Sequence, residues 1–485
     1  MESRTPVPLL GLPLEIWISI FEHTVLSTES NSRILTTIRL SGVSKTWRNI
    51  VLGMPELWAS FRWSSRRPGM ELCTQRAGTK PLSISLRVIG IDGKLTCLPI
   101  AAQEVHRLKA FYLAYEEDYI DDRHWPGNWT IPAPQLEILS IHNLYIPKGL
   151  FNGQMPLLQS LTLESASFDW VNFYHLLQLL HLSIRRPRWG PTSIRTFLDL
   201  LKGCPNLKSL HASGAFYRGD DEHSVHLQDL ESLVIDHDHY YHAIQFLRYL
   251  TFPHTARVHV RLNLLVSAPH EPAGILEALE RCWVGSTRKT QKIILAAERR
   301  FEFKLFEHDR DNPETPTIDI SSGINSSNSV ISLPTQLFEY VNLSELECFD
   351  FDGEGTQPPC LWTEFDQLPK LRTLKVRNSF ARSFLEFVQN EAKNGEHKSV
   401  PPFPHLQELA IVYEKSHQFR LGAGVEEFNS YLHQLCEYLQ SRCSIGFGVT
   451  SLTVLGPHRM TRETENALSE CVQELKHMIK QHPWF

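Results

Sequence analysis

Apolar and polar residues follow two different rhythms along this chain. Near its start, Leu14, Ile16, Trp17, Ile18, Ile20, Phe21, Val25 and Leu26 point to nearly every side of a helix that turns about 100° per residue. A surface helix normally keeps one face polar, so this segment has a second apolar face to cover. It is interrupted by Glu15, Glu22 and His23 and is too short to cross a membrane, which takes roughly 20 apolar residues. A helix is expected over 12–26. Pro13 suits the first helical position, where its missing N–H is not needed, and Glu15 falls in the positive first turn. After the polar run STESNSR, apolar residues return at Ile34, Leu35, Ile38, Leu40, Val43, Trp47, Ile50, Val51 and Leu52. From Val43 onward the spacing is helical, and Gly53, Met54 and Pro55 end it. The aromatic stretch ELWASFRW follows and reads as extended.

The second rhythm is a repeat: an apolar residue, two others, an apolar residue, one other, an apolar or small residue. It is read at Val105-Leu108-Ala110, Leu136-Leu139-Ile141, Leu158-Leu161-Leu163, Leu179-Leu182-Ile184, Leu207-Leu210-Ala212 and Leu230-Leu233-Ile235. It returns at Leu343-Leu346-Cys348, Leu371-Leu374-Val376, Leu406-Leu409-Ile411 and Val449-Leu452-Val454. From 136 to 230 the starts are 22, 21, 28 and 23 residues apart, close to the period of about 20–29 of a leucine-rich repeat. Later copies are 28, 35 and 43 apart, so longer helices are expected between them. Helical runs are read at SIRTFLDLLKG, HAIQFLRYL, GILEALERCW, RSFLEFVQNEAKNG, VEEFNSYLHQLCEYLQSR and TRETENALSECVQELKHMIKQ. Between 240 and 340 the repeat fades; ARVHVRLNLLV and QKIILAAERRFEFKLF read as strands, and 307–329 as a polar loop.

The fold class expected is α/β: an N-terminal helical module, then an irregular solenoid with parallel strands on a concave face and helices outside. The expected divisions are a tail at 1–9, the helical module at 10–60, a linker and repeat start at 61–104, the solenoid at 105–460 with its insertion at 307–329, and a capping helix at 461–485. The third, fifth and seventh residues of each repeat should face the concave side. That places Ser160, Thr162 and Glu164, His181, Ser183 and Arg185, Ser209, His211 and Ser213, Ser232, Val234 and Asp236, and Thr373, Lys375 and Arg377 there. The candidates for contacting a protein target are Glu164, His181, Arg185, His211, Asp236, Lys375 and Arg377.

Lys plus Arg is 48 and Asp plus Glu is 54, for a net charge of −6. That balance gives no general reason to bind nucleic acid or an anionic membrane. The nine cysteines include no C-x-x-C pair, which argues against a zinc site or a disulfide framework. The first residues hold no apolar core of signal-peptide length, so an intracellular protein, cytoplasmic or nuclear, with reduced thiols is expected. The triplets at Asn128, Asn325 and Asn342 then have no route to glycosylation. No G-x-S-x-G, Walker-A loop or H-E-x-x-H occurs; no cofactor is expected. The cluster DHDHYYH, Asp236 to His242, is dense in metal-binding types but offers no fixed third ligand, and reads as a solvated loop.

The segment LPLEIWISIFEH … LSGVSKTWRNIVLGMPELWASFRW resembles an F-box. The matching residues are Leu12-Pro13, Glu15-Ile16, Ile20-Phe21, Val43, Trp47-Arg48 and Pro55-x-Leu57-Trp58; KPLSISL at 80–86 resembles a stretch of F-box proteins with leucine-rich C-terminal regions. Ser44 stands where Cys is frequent, and the loop between the first helices is long. The resemblance implies helices that form their own bundle on one side and bury a second face against the Skp-type adaptor of a cullin-based ubiquitin ligase. Leu12, Pro13, Leu14, Ile16, Ile20, Phe21, Val43 and Trp47 are the implied adaptor contacts. The implied activity is that of a non-catalytic substrate receptor, with a protein target on the repeats. The alternative is a leucine-rich interaction protein that directs no ubiquitination.

Overall fold

The computed structural model describes residues 12–28, 32–64, 69–88, 97–115, 125–173, 176–188, 192–217, 224–253, 255–262, 277–278, 283–284, 290–297, 300–307, 318–323, 343–353, 362–363, 365, 368–394, 400–412, 423–456 and 460–479. The tail at 1–9, most of GILEALERCW and the triplets at Asn325 and Asn342 lie outside them. The chain divides into two compact units, Met1–Leu230 and Glu231–Phe485. Both are mixed α/β, built largely on parallel strands.

The first unit opens with helices α1 (Leu14–Leu26), α2 (Arg33–Val43) and α3 (Lys45–Leu52). Pro13 is the cap residue before α1, not its first helical residue. Its ψ of 152° is extended, and its carbonyl accepts the first helical N–H bonds. The second apolar run is two helices, because Ser44 between them is extended at φ −154°, ψ 166°. Its Oγ accepts the Trp47 N–H at 3.1 Å and caps α3. The aromatic stretch is likewise split: Pro55–Trp58 is a 3₁₀ turn and only Ser60–Ser64 is extended.

Strands β1 (Ser60–Ser64), β2 (Leu82–Val88), β3 (Leu108–Tyr115), β4 (Ile138–His142), β5 (Ser160–Glu164) and β6 (His181–Arg185), then Ser209–Ser213, pair in sequence order, all parallel. The register aligns two apolar rows. One holds Phe61, Ile84, Phe111, Leu139, Leu161, Leu182 and Leu210; the other holds Trp63, Leu86, Leu113, Ile141, Leu163, Ile184 and Ala212. All are buried. Two expectations change here. The sheet starts at Ser60, so the division at 60 falls inside it. The repeat on β3 is Leu108-Phe111-Leu113, three residues later than Val105-Leu108-Ala110. Both frames satisfy the spacing; pairing to Leu139 and Ile141 selects the second.

Helix Ile194–Lys202 has the expected ends. Ser193 Oγ accepts the Thr196 N–H at 3.1 Å, and Gly203 closes it. After β4, β5, β6 and Ser209–Ser213 the next residue is left-handed each time: Asn143, Ser165, Arg186 and Gly214, with φ of 64°, 48°, 48° and 56°. The first three donate their N–H to the last carbonyl of the neighbouring strand, at Glu164, Arg185 and Ser213. The ladder gains one bond per strand, which offsets the roughly 1–2 kcal/mol that a left-handed non-glycine residue costs.

In the second unit, strands Ser232–His237, Arg257–Leu262 and Ile318–Gly323 run parallel. Arg300–Glu307 and Thr290–Ala297 join antiparallel. Thr290–Ala297 then pairs with Cys348–Gly353, and Thr373–Arg377, Glu408–Val412, Val449–Gly456 and Val472–Ile479 follow in order, all parallel. Three expectations are corrected. The insertion at 307–329 contains a strand, Ile318–Gly323. The repeat at 343 is Leu346-Phe349-Phe351, since Phe349 aligns with Leu374 and Phe351 with Val376. The capping helix ends at Cys471, and Val472–Ile479 is a strand on Val449–Gly456. Helices Tyr240–Arg248, Asn378–Asn394 and Ala423–Ser444 lie close to their expected places. Arg442 is buried at the end of the last, donating to the Phe447 and Pro402 carbonyls and to Tyr438 Oη.

Candidate functional site

Two surfaces hold the candidate residues. The first is on α1–α3. Trp17, Phe21 and Val25 recur every four residues and share one face of α1. Phe21 is 0% exposed, and its ring meets Trp47 at 4.9 Å and Trp17 at 5.6 Å. Trp47 also meets Trp17 at 5.1 Å and is half-buried. Phe21 is therefore core, not a free contact residue; its place between Trp17 and Val25 sets it inward. Ile16 and Ile20 lie off that face, roughly 100–140° round α1 from Phe21 at about 100° per residue, and are 45% and 39% exposed. Leu14 and Val43 are also exposed, Pro13 is exposed and Leu12 is half-buried. The structure adds Leu26, Ile38 and Leu52 to the exposed apolar residues of these helices, which sequence reasoning did not single out. All were visible in the apolar runs, but exposure depends on which face the bundle takes.

The second surface is the strand face opposite the apolar rows in the first unit. Register places Ser85, Tyr112, Ser140, Thr162, Ser183 and His211 in one row. Small hydroxyls dominate it. The next row runs Arg87, Ala114, His142, Glu164, Arg185 and Ser213. Glu164 sits between two nitrogen donors: its Oε2 lies 3.2 Å from His142 Nδ1 and 3.4 Å from Arg185 Nη1. A carboxylate only accepts, so Nδ1 carries the proton and Nε2 accepts from Ser140 Oγ at 2.8 Å. Arg188 ties this rim together, donating to the Ser165 carbonyl at 3.0 Å and to Asn143 Oδ1. His181, exposed, and His211, half-buried, lie on neighbouring strands of the same face. The structure thus brings Glu164 and Arg185 into contact and places His181 and His211 elsewhere on the same strand face. His142 was missed, although it is the seventh residue of the repeat that starts at Leu136.

Burial lowers the His142 pKa, against the pull of Glu164, and Arg185 adds to the lowering. As pH falls below the ordinary histidine value near 6.5, the unfolded chain takes up this proton first. The stability His142 contributes is whole above that pH and is lost as pH drops towards the lower folded value. Replacing His142 with Gln should flatten this acid-side slope. Thermal midpoints of both proteins from pH 7 to pH 5 should converge as the pH falls; parallel curves would rule the assignment out.

Asp236, Lys375 and Arg377 belong to the second unit. Arg377 grips the buried Asp350, Nε to Oδ1 at 3.2 Å and Nη2 to Oδ2 at 3.3 Å. Only Asp350 of this two-pronged pair is buried; the Arg377 side chain is 36% exposed, so it holds Asp350 and still reaches the strand face. Asp350 was hidden by the three-residue slip in placing its repeat. Lys375 stands in register between Asp350 and Ala410, and Asp236 opposite Arg261.

The histidines of DHDHYYH do converge. His242 lies 5.1 Å from His237 and 5.5 Å from His239, ring to ring. However, the His239 N–H donates to His237 Nδ1 at 3.0 Å. In neutral His237 that leaves Nε2 protonated, so neither nitrogen offers a lone pair to a metal. Among the described residues no group of three His, Cys, Asp or Glu is arranged to hold a metal ion, and no helix is long and apolar enough to cross a membrane. No protein-family model matches the chain, and no curated protein matches it.

Proposed function

We propose that this chain is a non-catalytic substrate receptor of a cullin-based ubiquitin ligase: an F-box on α1–α3 holds a Skp-type adaptor, and a leucine-rich-repeat solenoid presents a protein target. The observation that carries the reading is the two-sided α1. One side packs Trp17, Phe21 and Val25 inward. Off that side Ile16 and Ile20 stay in water, and Leu14 and Val43 are exposed as well. An apolar surface of this kind on a small bundle marks an interaction site, and the residues on it are those the F-box resemblance implies. The strands in sequence order, with aligned apolar rows, support the repeat reading. A receptor of this type performs no bond chemistry; it raises the effective concentration of a target lysine at the conjugating enzyme.

The reading is tested by producing the full chain with and without a Skp-type adaptor. Alone, it should bind a hydrophobic dye and self-associate; with the adaptor it should elute as a defined complex and lose the dye signal. A monodisperse, dye-silent chain that leaves the adaptor unbound would defeat the reading. A deletion that removes the module must stop before Leu57 and Trp58, which are buried beside β1. Turnover of a captured partner that depends on the cullin separates a ligase receptor from an interaction protein without that role.

A further inference from the structure

Ser140 and His142 are two residues apart on β4, so both side chains lie on the strand face opposite the apolar rows. The parallel register sets Glu164 of β5 beside His142. The contacts then run in one line: Ser140 Oγ to His142 Nε2 at 2.8 Å, and His142 Nδ1 to Glu164 Oε2 at 3.2 Å. A hydroxyl, an imidazole that accepts from it and a carboxylate that fixes the far N–H are the parts of an activated nucleophile. Arg185 Nη1, 3.4 Å from the same Oε2, also holds the carboxylate. Ser183, in the same row on β6, differs: its Oγ accepts from Arg185 Nε at 3.3 Å, and a guanidinium cannot take its proton. Tyr112 and Thr162 flank Ser140 in register and carry hydroxyl donors, the kind of group that steadies a negatively charged oxygen. Ser140 is 8% exposed, so only a narrow group reaches its Oγ.

We propose that Ser140, His142 and Glu164 act as nucleophile, general base and positioning residue in the hydrolysis of small carboxylic esters with an acyl group of acetyl size. This activity is separate from the receptor reading and does not depend on it. Ser140 Oγ attacks the ester carbonyl carbon while its proton passes to His142 Nε2. The tetrahedral intermediate collapses: its bond to the leaving oxygen breaks, and the alcohol departs with the proton from Nε2. Water then adds to the acyl group on Ser140 and gives a proton to Nε2. The acid leaves, and Ser140 Oγ takes that proton back. The net change turns one ester and one water into one acid and one alcohol. Glu164 accepts the Nδ1 N–H throughout. Burial holds the His142 pKa below its ordinary value, so the imidazole is neutral at pH 7 and able to take the proton.

The test incubates the full chain with p-nitrophenyl acetate, quenches in acid and maps acetyl groups by peptide mass. Acetyl should accumulate on Ser140 at least about tenfold faster than on Ser183. Ser140→Ala should abolish the fast phase of p-nitrophenol release, and His142→Gln should slow it by roughly a hundredfold or more. Glu164→Gln should slow acetylation and move the midpoint of its pH profile lower, because the carboxylate raises the His142 pKa; a purely structural role would leave the midpoint in place. Should a variant melt early, the wild-type comparison of Ser140 with Ser183 still decides. Equal rates at those two serines, acetyl on lysines or histidines alone, or a folded His142→Gln that acetylates Ser140 as fast as wild type would overturn the proposal.

Discussion

Trp58→Ala should be the most destabilising single change in the N-terminal module, by about 3–5 kcal/mol. Trp58 is 1% exposed and stands where the helices meet the sheet. Its indole N–H donates to the Val51 carbonyl at 3.0 Å, so it holds the end of α3. The Arg76 guanidinium lies 4.3 Å from its ring centre, a cation–π contact worth roughly 0.5–2 kcal/mol. Its carbonyl neighbour at Leu57 accepts from the fully buried Thr37 Oγ1, which brings α2 to the same point. Alanine leaves a cavity of indole size and takes the indole N–H from the Val51 carbonyl, which keeps only the Met54 N–H at 3.3 Å. Trp58→Phe keeps most of the apolar volume and loses only the N–H bond, so it should cost about 1–2 kcal/mol. Urea melts should rank wild type above Phe above Ala. An alanine variant as stable as wild type would mean that the joint is not cooperative with the rest of its unit.

The apolar rows were legible because a parallel strand sets its register through residues two apart, and Leu-x-x-Leu-x-Leu writes that spacing directly. At β4, β5 and β6 only one frame fits, and the sequence reading and the structure coincide. At β3 and Cys348–Gly353 two frames three residues apart both fit, because Leu108 and Leu346 serve as either the first or the second apolar residue. Only the partner strand decides between them. The slip had a functional cost: it hid Asp350, the partner of Arg377. The C-terminal segment fails for another reason. Leu468, Cys471, Leu475 and Met478 recur every three to four residues, as in a helix. Yet Val472, Leu475 and His477 also fit the repeat spacing, and the neighbouring strand Val449–Gly456 offers a ladder that helix propensity alone does not outweigh. The His142–Glu164–Arg185 contact joins three strands, so no window of sequence displays it.

Asp at both Ile16 and Ile20 should abolish adaptor binding while leaving the fold intact. The prediction depends on the adaptor reading and on one geometric fact. These two residues lie one turn apart, outside the face of α1 that Trp17, Phe21 and Val25 bury, and both are exposed. Charge there meets water in the free chain, so thermal stability should change by less than about 0.5 kcal/mol. In a complex the same carboxylates would be buried against apolar surface without a partner. Loss of one central anchor costs about 2 kcal/mol or more, roughly thirtyfold in affinity, and loss of both approaches about a thousandfold. Leu12→Ala with Pro13→Ala should weaken binding in the same direction and by less, since Pro13 also fixes the start of α1. Phe21→Ala is the opposite control: it removes a core ring, so binding and folding should fail together. Measuring affinity for the adaptor beside a melt for each variant separates the two classes. If the Ile16/Ile20 double variant folds and still binds the adaptor with wild-type affinity, the exposed side of α1 is not where the adaptor sits.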